Sequence, residues 1–241
     1  MNLLQKFTLS LLLAIVLGSV VYPQEVVMPD LNLQRAVRNA LMLNPNQAIT
    51  RQNLEGLERL VAKKQGIIDL RGLEHATQLE YLVLSDNDIS DLTPLTNLVE
   101  LRHLALGENS ITDIRPLVNL VQLRELHLTN NMVTDVSPLS AMINLRRLVL
   151  ENNLIEDFTP LTNLTNVINL GILGNPATDY SAILSMGIPH LSYDQCCEIE
   201  PLPVRDRIEN RDYPSIAMLW GGGNPESLQR LNRPRLTEME L

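Results

Sequence analysis

The chain carries few residues able to do chemistry, and those few fall into a pattern. Of the four histidines (75, 103, 127 and 190), His103 and His127 bracket Glu125, the first lying 22 positions before it and the second two positions after it. Two imidazoles and a carboxylate are the material of a metal site, or of a general base with its orienting acid. A metal centre usually wants a third strong ligand and matched geometry, which this trio does not offer, so neither metal nor cofactor is expected. Cys196 and Cys197 are adjacent and fall short of a four-ligand zinc set; a vicinal disulfide, pairing between chains and free thiols all remain open for them. The chain has no G-x-S-x-G, no phosphate-binding loop and no H-E-x-x-H. No catalytic constellation emerges, and no enzyme activity is expected.

The interval of 22 belongs to the whole middle of the chain. Residues 79–166 are four consecutive copies of one 22-residue unit, beginning LEYLVLSDNDISDLTPLTNLVE and LRHLALGENSITDIRPLVNLVQ. Asn recurs at 87, 109, 131 and 153, Asp at 91, 113, 135 and 157, and Pro at 94, 116, 138 and 160. Weaker copies flank them, one over residues 57–78 and a decaying one from 167 to 180 that keeps Asn175 and Asp179. Two leucines two apart, such as Leu82 and Leu84, share one face of a short strand. Leu79, Ile89, Leu92, Leu95 and Leu98 cannot be buried by a single unit, so the units must stack.

The recurring polar residues have structural work to do. Asn87, Asn109, Asn131, Asn153 and Asn175 stand where the chain leaves each strand and turns inward. There a buried amide can both donate to and accept from the backbone along the stack. Thr93, Ser137 and Thr159 precede the prolines and read as N-cap residues of one turn of 3₁₀ or α helix. The Asp column reads as turn chemistry, since one carboxylate per repeat lacks the ligand count that calcium wants.

The pattern L-x-x-L-x-L-x-x-N-x-I-x-D-[LIVF]-x-P-L-x-x-L resembles leucine-rich repeats, specifically the 22-residue class of the bacterial internalins. The resemblance covers about six copies at residues 57–180. It implies an α/β solenoid with a curved parallel β-sheet on the concave face, short 3₁₀ or α turns on the convex face and an N-terminal helical cap. It also implies a binding module that recognises a protein partner on its concave face. The outward positions of successive strands make columns there. One runs Arg59, Tyr81, His103, Glu125, Arg147 and Asn169, a second contains His127, and a third contains Glu151. Tyr81, His103, Glu125, His127, Arg147 and Glu151 are the candidate partner-binding residues. Arg102, Arg124 and Arg146 also recur at 22, and a solvated flank pairing with Glu100 and Glu125 is expected of them.

Outside the repeats the chain changes character at both ends. Residues 1–22 hold one positive charge, Lys6, and an uncharged run from Phe7 to Val21, which suits a secretory signal; Val16 and Gly18 mark a cleavage site poorly, so an uncleaved anchor stays open. A secreted or cell-surface location is expected. Residues 25–56 resemble the internalin cap. Asp30 can cap a helix running to about Leu43, and Thr50 a second, short one with Ile49 and Leu54 as its hydrophobic staple. Residues 181–195 read as a C-terminal cap with a helix near Ser181–Met186 and a strand around His190–Tyr193. Residues 196–241, rich in Pro and holding a Gly triplet, read as a linker and the possible truncated start of another domain. That allows an alternative in which the repeats are the targeting half of a larger extracellular enzyme. A net charge of −9 argues against nucleic acid and anionic membrane as partners. No membrane contact beyond the signal is expected, and composition leaves the oligomeric state open.

Overall fold

A computed structural model describes residues 24–193. The expected signal, Cys196 and Cys197, and the segment 196–241 lie outside the described residues. Seven three-residue strands follow one another along the repeats: β1 Arg59–Val61, β2 Tyr81–Val83, β3 His103–Ala105, β4 Glu125–His127, β5 Arg147–Val149, β6 Asn169–Gly171 and β7 His190–Ser192. They form one open parallel sheet in sequence order. Register partners lie one 22-residue unit apart until β6 and β7, where Asn169 meets His190 and the step shortens by one residue. This is the leucine-rich repeat solenoid.

Each unit buries its own apolar places against its neighbours. The central strand residues Leu82, Leu104, Leu126 and Leu148 are fully buried, as are Leu79, Ile89, Leu95 and Leu98 of the first full copy. At ~1.5–3 kcal/mol for each fully buried aliphatic side chain, before ordering entropy is subtracted, the faces between units hold the solenoid together. Short 3₁₀ turns carry the chain over the convex side at Leu73–His75, Thr93–Leu95, Arg115–Leu117, Ser137–Leu139 and Thr159–Asn163.

These turns open differently from the expectation. Thr93, Ser137 and Thr159 are the first residues of their turns, and none of the turns has a side-chain cap at the preceding residue. The Asp two positions earlier accepts the backbone N–H instead, from Thr93 to Asp91 at 2.8 Å, Ser137 to Asp135 at 2.8 Å and Thr159 to Asp157 at 2.8 Å. Asp and the following Pro together set the turn, because the Asx bond fixes its entry and Pro fixes φ one step later.

The asparagines link consecutive units. Asn131 accepts from the Ile111 N–H at 3.0 Å and donates Nδ2 to the Leu106 and Leu128 carbonyls, both at 3.0 Å. Asn153 repeats this on Val133, Leu128 and Leu150, and Asn175 on Ile155, Leu150 and Ile172. Leu106 and Leu128 each accept from two successive asparagines. The ladder is therefore continuous, each rung bonding its own unit and the one before.

The N-terminal end is covered by α1, Leu31–Ala40, and α2, Arg51–Glu55. The first helix stops short of Leu43, because Met42 takes a left-handed φ of 53° that ends the helical run. Asp30 does more than cap it. One carboxylate oxygen accepts from Asn32 and Leu33 at 2.8 and 3.0 Å, and the other accepts from Ile68 and Asp69 at 2.7 and 3.2 Å. Burial pushes this carboxyl up, but the four backbone donors, Ile68 foremost, outweigh it and hold it below its ordinary value. In α2 the Thr50 cap is completed by Asn53, whose Oδ1 accepts from the Thr50 N–H at 3.0 Å. At the other end Phe158, Tyr180 and Tyr193 pack ring to ring, 6.0 and 5.4 Å apart, beside α3, Ser181–Ser185.

Candidate functional site

In a strand of three residues the middle side chain goes to the core and the outer two go to the opposite face. The sheet therefore lays out two columns side by side. Register places Arg59, Tyr81, His103, Glu125, Arg147, Asn169 and His190 in the first, and Val61, Val83, Ala105, His127, Val149, Gly171 and Ser192 in the second.

The first column is a stack. The Arg59 guanidinium sits 3.7 Å from the centre of the Tyr81 ring. On its other face Tyr81 lies flat on His103, the ring centres 4.2 Å apart and the planes within 6°. His103 Nδ1 is 3.1 Å from Glu125 Oε2, and His127 Nε2 is 3.9 Å from the same oxygen. The Glu125 carboxyl is held well below the usual carboxylate range by its hydrogen bond with His103 first and with His127 second, against an opposing effect of burial. Tyr81 is thus clamped on both faces, and the sheet presents its edge.

Two consequences follow for the histidines. His103 is only 8% exposed, although its neighbours in the column are half-buried or more open, because the Tyr81 ring covers it. It is a packed plate in the stack. Among the described residues no three His, Cys, Asp or Glu side chains are grouped so as to hold a metal ion. The trio's chemistry is that of a carboxylate kept ionised between two imidazoles.

Arg147 stands in register with Glu125, yet it forms no ion pair among the described residues, since Glu125 is turned to the histidines. Its Nε is shut from water without an acceptor among them. Glu151 leans the other way, over Gly171, where an added Cβ would come within 2.8 Å of Glu151 Oε1. That oxygen accepts from the Ser192 hydroxyl at 3.0 Å, which ties Glu151 to β7. The flank also differs from expectation. Arg102 pairs with Glu80 at 3.5 Å rather than with Glu100, and Glu125 is taken by His103.

Beyond the strands runs a feature that sequence reasoning missed. Lys64, Asp86, Glu108, Asn130, Asn152 and Gly174, each 22 positions after the last, all have positive φ, from 53° to 74°. Asn130 Nδ2 donates to Glu108 Oε1, and Asn152 Nδ2 donates to Asn130 Oδ1 at 2.7 Å. The signal was present in the run of Asp, Asn and Gly, the types that visit the left-handed region most readily, but Lys64 and Glu108 obscured it.

The family model described as Leucine Rich repeats (2 copies) matches residues 77–119, 99–141 and 121–163. No curated protein sequence matches the chain. Among solved structures, an internalin (inlC2) from Listeria monocytogenes is 31% identical with a TM-score of 0.58, the match covering 76% of this chain and 94% of that one. An internalin (inlF) from the same species is 31% identical with a TM-score of 0.58, over 73% of this chain and 59% of its own length. This chain therefore spans nearly all of one relative and somewhat over half of the other. Among the described residues no helix is long and apolar enough to cross a membrane. With its 22-residue units, its asparagine ladder and its likeness to both structures, the chain belongs to the internalin-like leucine-rich repeat proteins.

Proposed function

We propose that this chain is an exported binding module that recognises a protein partner through the concave face of its sheet, without catalysis of its own. Tyr81, His103, Glu125, His127, Arg147 and Glu151 carry the contact or shape it. The observation that bears most weight is the clamped Tyr81, held between Arg59 and His103 with its ring edge outward. A large side chain already fixed in one rotamer loses little entropy on binding, and Tyr and Arg dominate the energetics of many interfaces. The His103–Glu125 pair holds the floor of the stack. Glu151, tied to Ser192, shapes the far end of the face. The asparagines 87, 109, 131, 153 and 175 serve the frame and do not meet the partner. The apolar run at Phe7–Val21 supports export to the cell surface or medium.

Immobilised full chain should retain a protein from an extract of extracellular and cell-surface proteins. Protease treatment of the extract should abolish the retained material, and nuclease or lipase treatment should not. Retention that survives proteolysis would overturn the reading.

A further inference from the structure

The concave column is not the only part of this surface with unspent binding capacity. The place just before each strand reads Glu58, Glu80, Arg102, Arg124 and Arg146 through successive units, so the flank changes sign along the solenoid. Arg102 is neutralised by Glu80 at 3.5 Å. From Arg124 onward nothing neutralises the flank: Arg124, Arg146 and Arg147 form no ion pair among the described residues. The Arg146 and Arg147 N–H groups both donate to the Arg124 carbonyl, at 2.8 and 3.1 Å, so the three are backbone neighbours across β4 and β5. The carboxylate that could balance them, Glu125, is in register with Arg147 and turned away to His103.

We propose that Arg124, Arg146 and Arg147 form a recognition site for a carboxylate-rich segment of the partner protein. This rests on the reading that the sheet side of the solenoid binds a protein, and it names the chemistry of that partner. Guanidinium groups match carboxylates in planar, two-pronged hydrogen bonds, and Arg124 and Arg146 are exposed to meet them, with Arg147 half-buried beside them. Val121 and Ile143, three positions before Arg124 and Arg146, are 39% and 53% exposed. The complementary segment alternates acidic and aliphatic residues. A net charge of −9 repels a long polyanion at range, while a short acidic segment on a local basic patch escapes most of that repulsion through salt screening.

The test uses a labelled short peptide of alternating Glu and Leu, titrated with the full chain at low and high salt and followed by fluorescence anisotropy. Binding is expected at low salt, weakening as salt rises. Arg124→Gln/Arg146→Gln should weaken it about tenfold. Arg35→Gln/Lys63→Gln, which removes the same charge elsewhere on the surface, should leave it unchanged, and circular dichroism confirms that both variants are folded. Absence of binding, equal loss in both variants, or tighter binding of a DNA duplex of matched charge would each overturn the proposal. Tyr81→Ala is expected to leave peptide binding intact. Failure of the concave-face reading, seen as partner capture that survives Tyr81→Ala, is therefore distinguishable from failure of this one.

Discussion

Removing one rung of the asparagine ladder should cost more at its first position than in its middle. The reason is which backbone groups are left without a partner. In Asn131→Ala the Leu106 and Leu128 carbonyls keep their bonds from Asn109 and Asn153, at 2.9 Å each, and only the buried Ile111 N–H is orphaned. In Asn87→Ala the Leu84 carbonyl keeps Asn109 at 3.1 Å, but the Ile67 N–H and the Ala62 carbonyl lose the amide that held them at 3.0 and 2.9 Å. The half-buried Gln65 N–H loses its bond of 3.0 Å as well. Gln65 stands in the asparagine place of the preceding unit, yet its side chain bonds only the nearby Lys63 carbonyl, so it cannot take over. At ~1–3 kcal/mol per buried group left unpaired, Asn131→Ala should destabilise by ~1–3 kcal/mol and Asn87→Ala by ~2–6 kcal/mol. Urea titrations of the two variants and the parent, fitted with a common slope, read the difference. Equal losses, or a larger loss at Asn131, would refute the account of shared carbonyls.

Three further outcomes are expected. Lys64→Asn relieves a left-handed φ of 57° and gives up only an exposed ion pair to Asp86 at 3.8 Å, so it should stabilise by up to ~1 kcal/mol; a lower melting temperature would contradict this. Gly174→Ala adds a Cβ at a φ of 74° that collides with Asn152 Oδ1, and denaturant titration should show a loss of ~2 kcal/mol. The depressed folded-state pKa of Glu125 adds stability at pH above the ordinary carboxylate value of ~4.3, and that increment is lost as pH falls from there toward the depressed value. Glu125→Gln lacks the increment, so the stability gap between parent and variant should narrow over that acid range; a gap that stays constant would exclude the carboxylate as its source.

What was legible in the sequence is what recurs at one place in every unit. Leu82, Leu104, Leu126 and Leu148 meet the same surroundings, so one periodicity locates strand, core and concave column together. Backbone conformation is less visible, because a positive φ imposes a preference and not a fixed residue type; hence Lys64 and Glu108 hid the left-handed column. A contact across sequence distance that is made only once leaves no periodic trace. Nothing local to Asp30 announces that its second oxygen holds the Ile68 and Asp69 N–H groups. The same holds within the candidate site. The spacing brought His103, Glu125 and His127 to adjacent strands, but the burial of His103 depends on the rotamer that Tyr81 adopts beneath Arg59.

The central claim is that the concave face meets the partner, and a paired affinity measurement tests it most directly. Once a partner is captured, its dissociation constant should be measured for the parent chain, Tyr81→Ala and Arg147→Ala on the sheet face, and Thr96→Ala and Asn119→Ala on the convex side. All variants should first be shown to be folded by circular dichroism. The sheet variants should each weaken binding by ~1 kcal/mol or more, and the convex variants should leave it unchanged. Full affinity in Tyr81→Ala and Arg147→Ala together with loss in the convex variants would contradict the account and place the interface on the other surface.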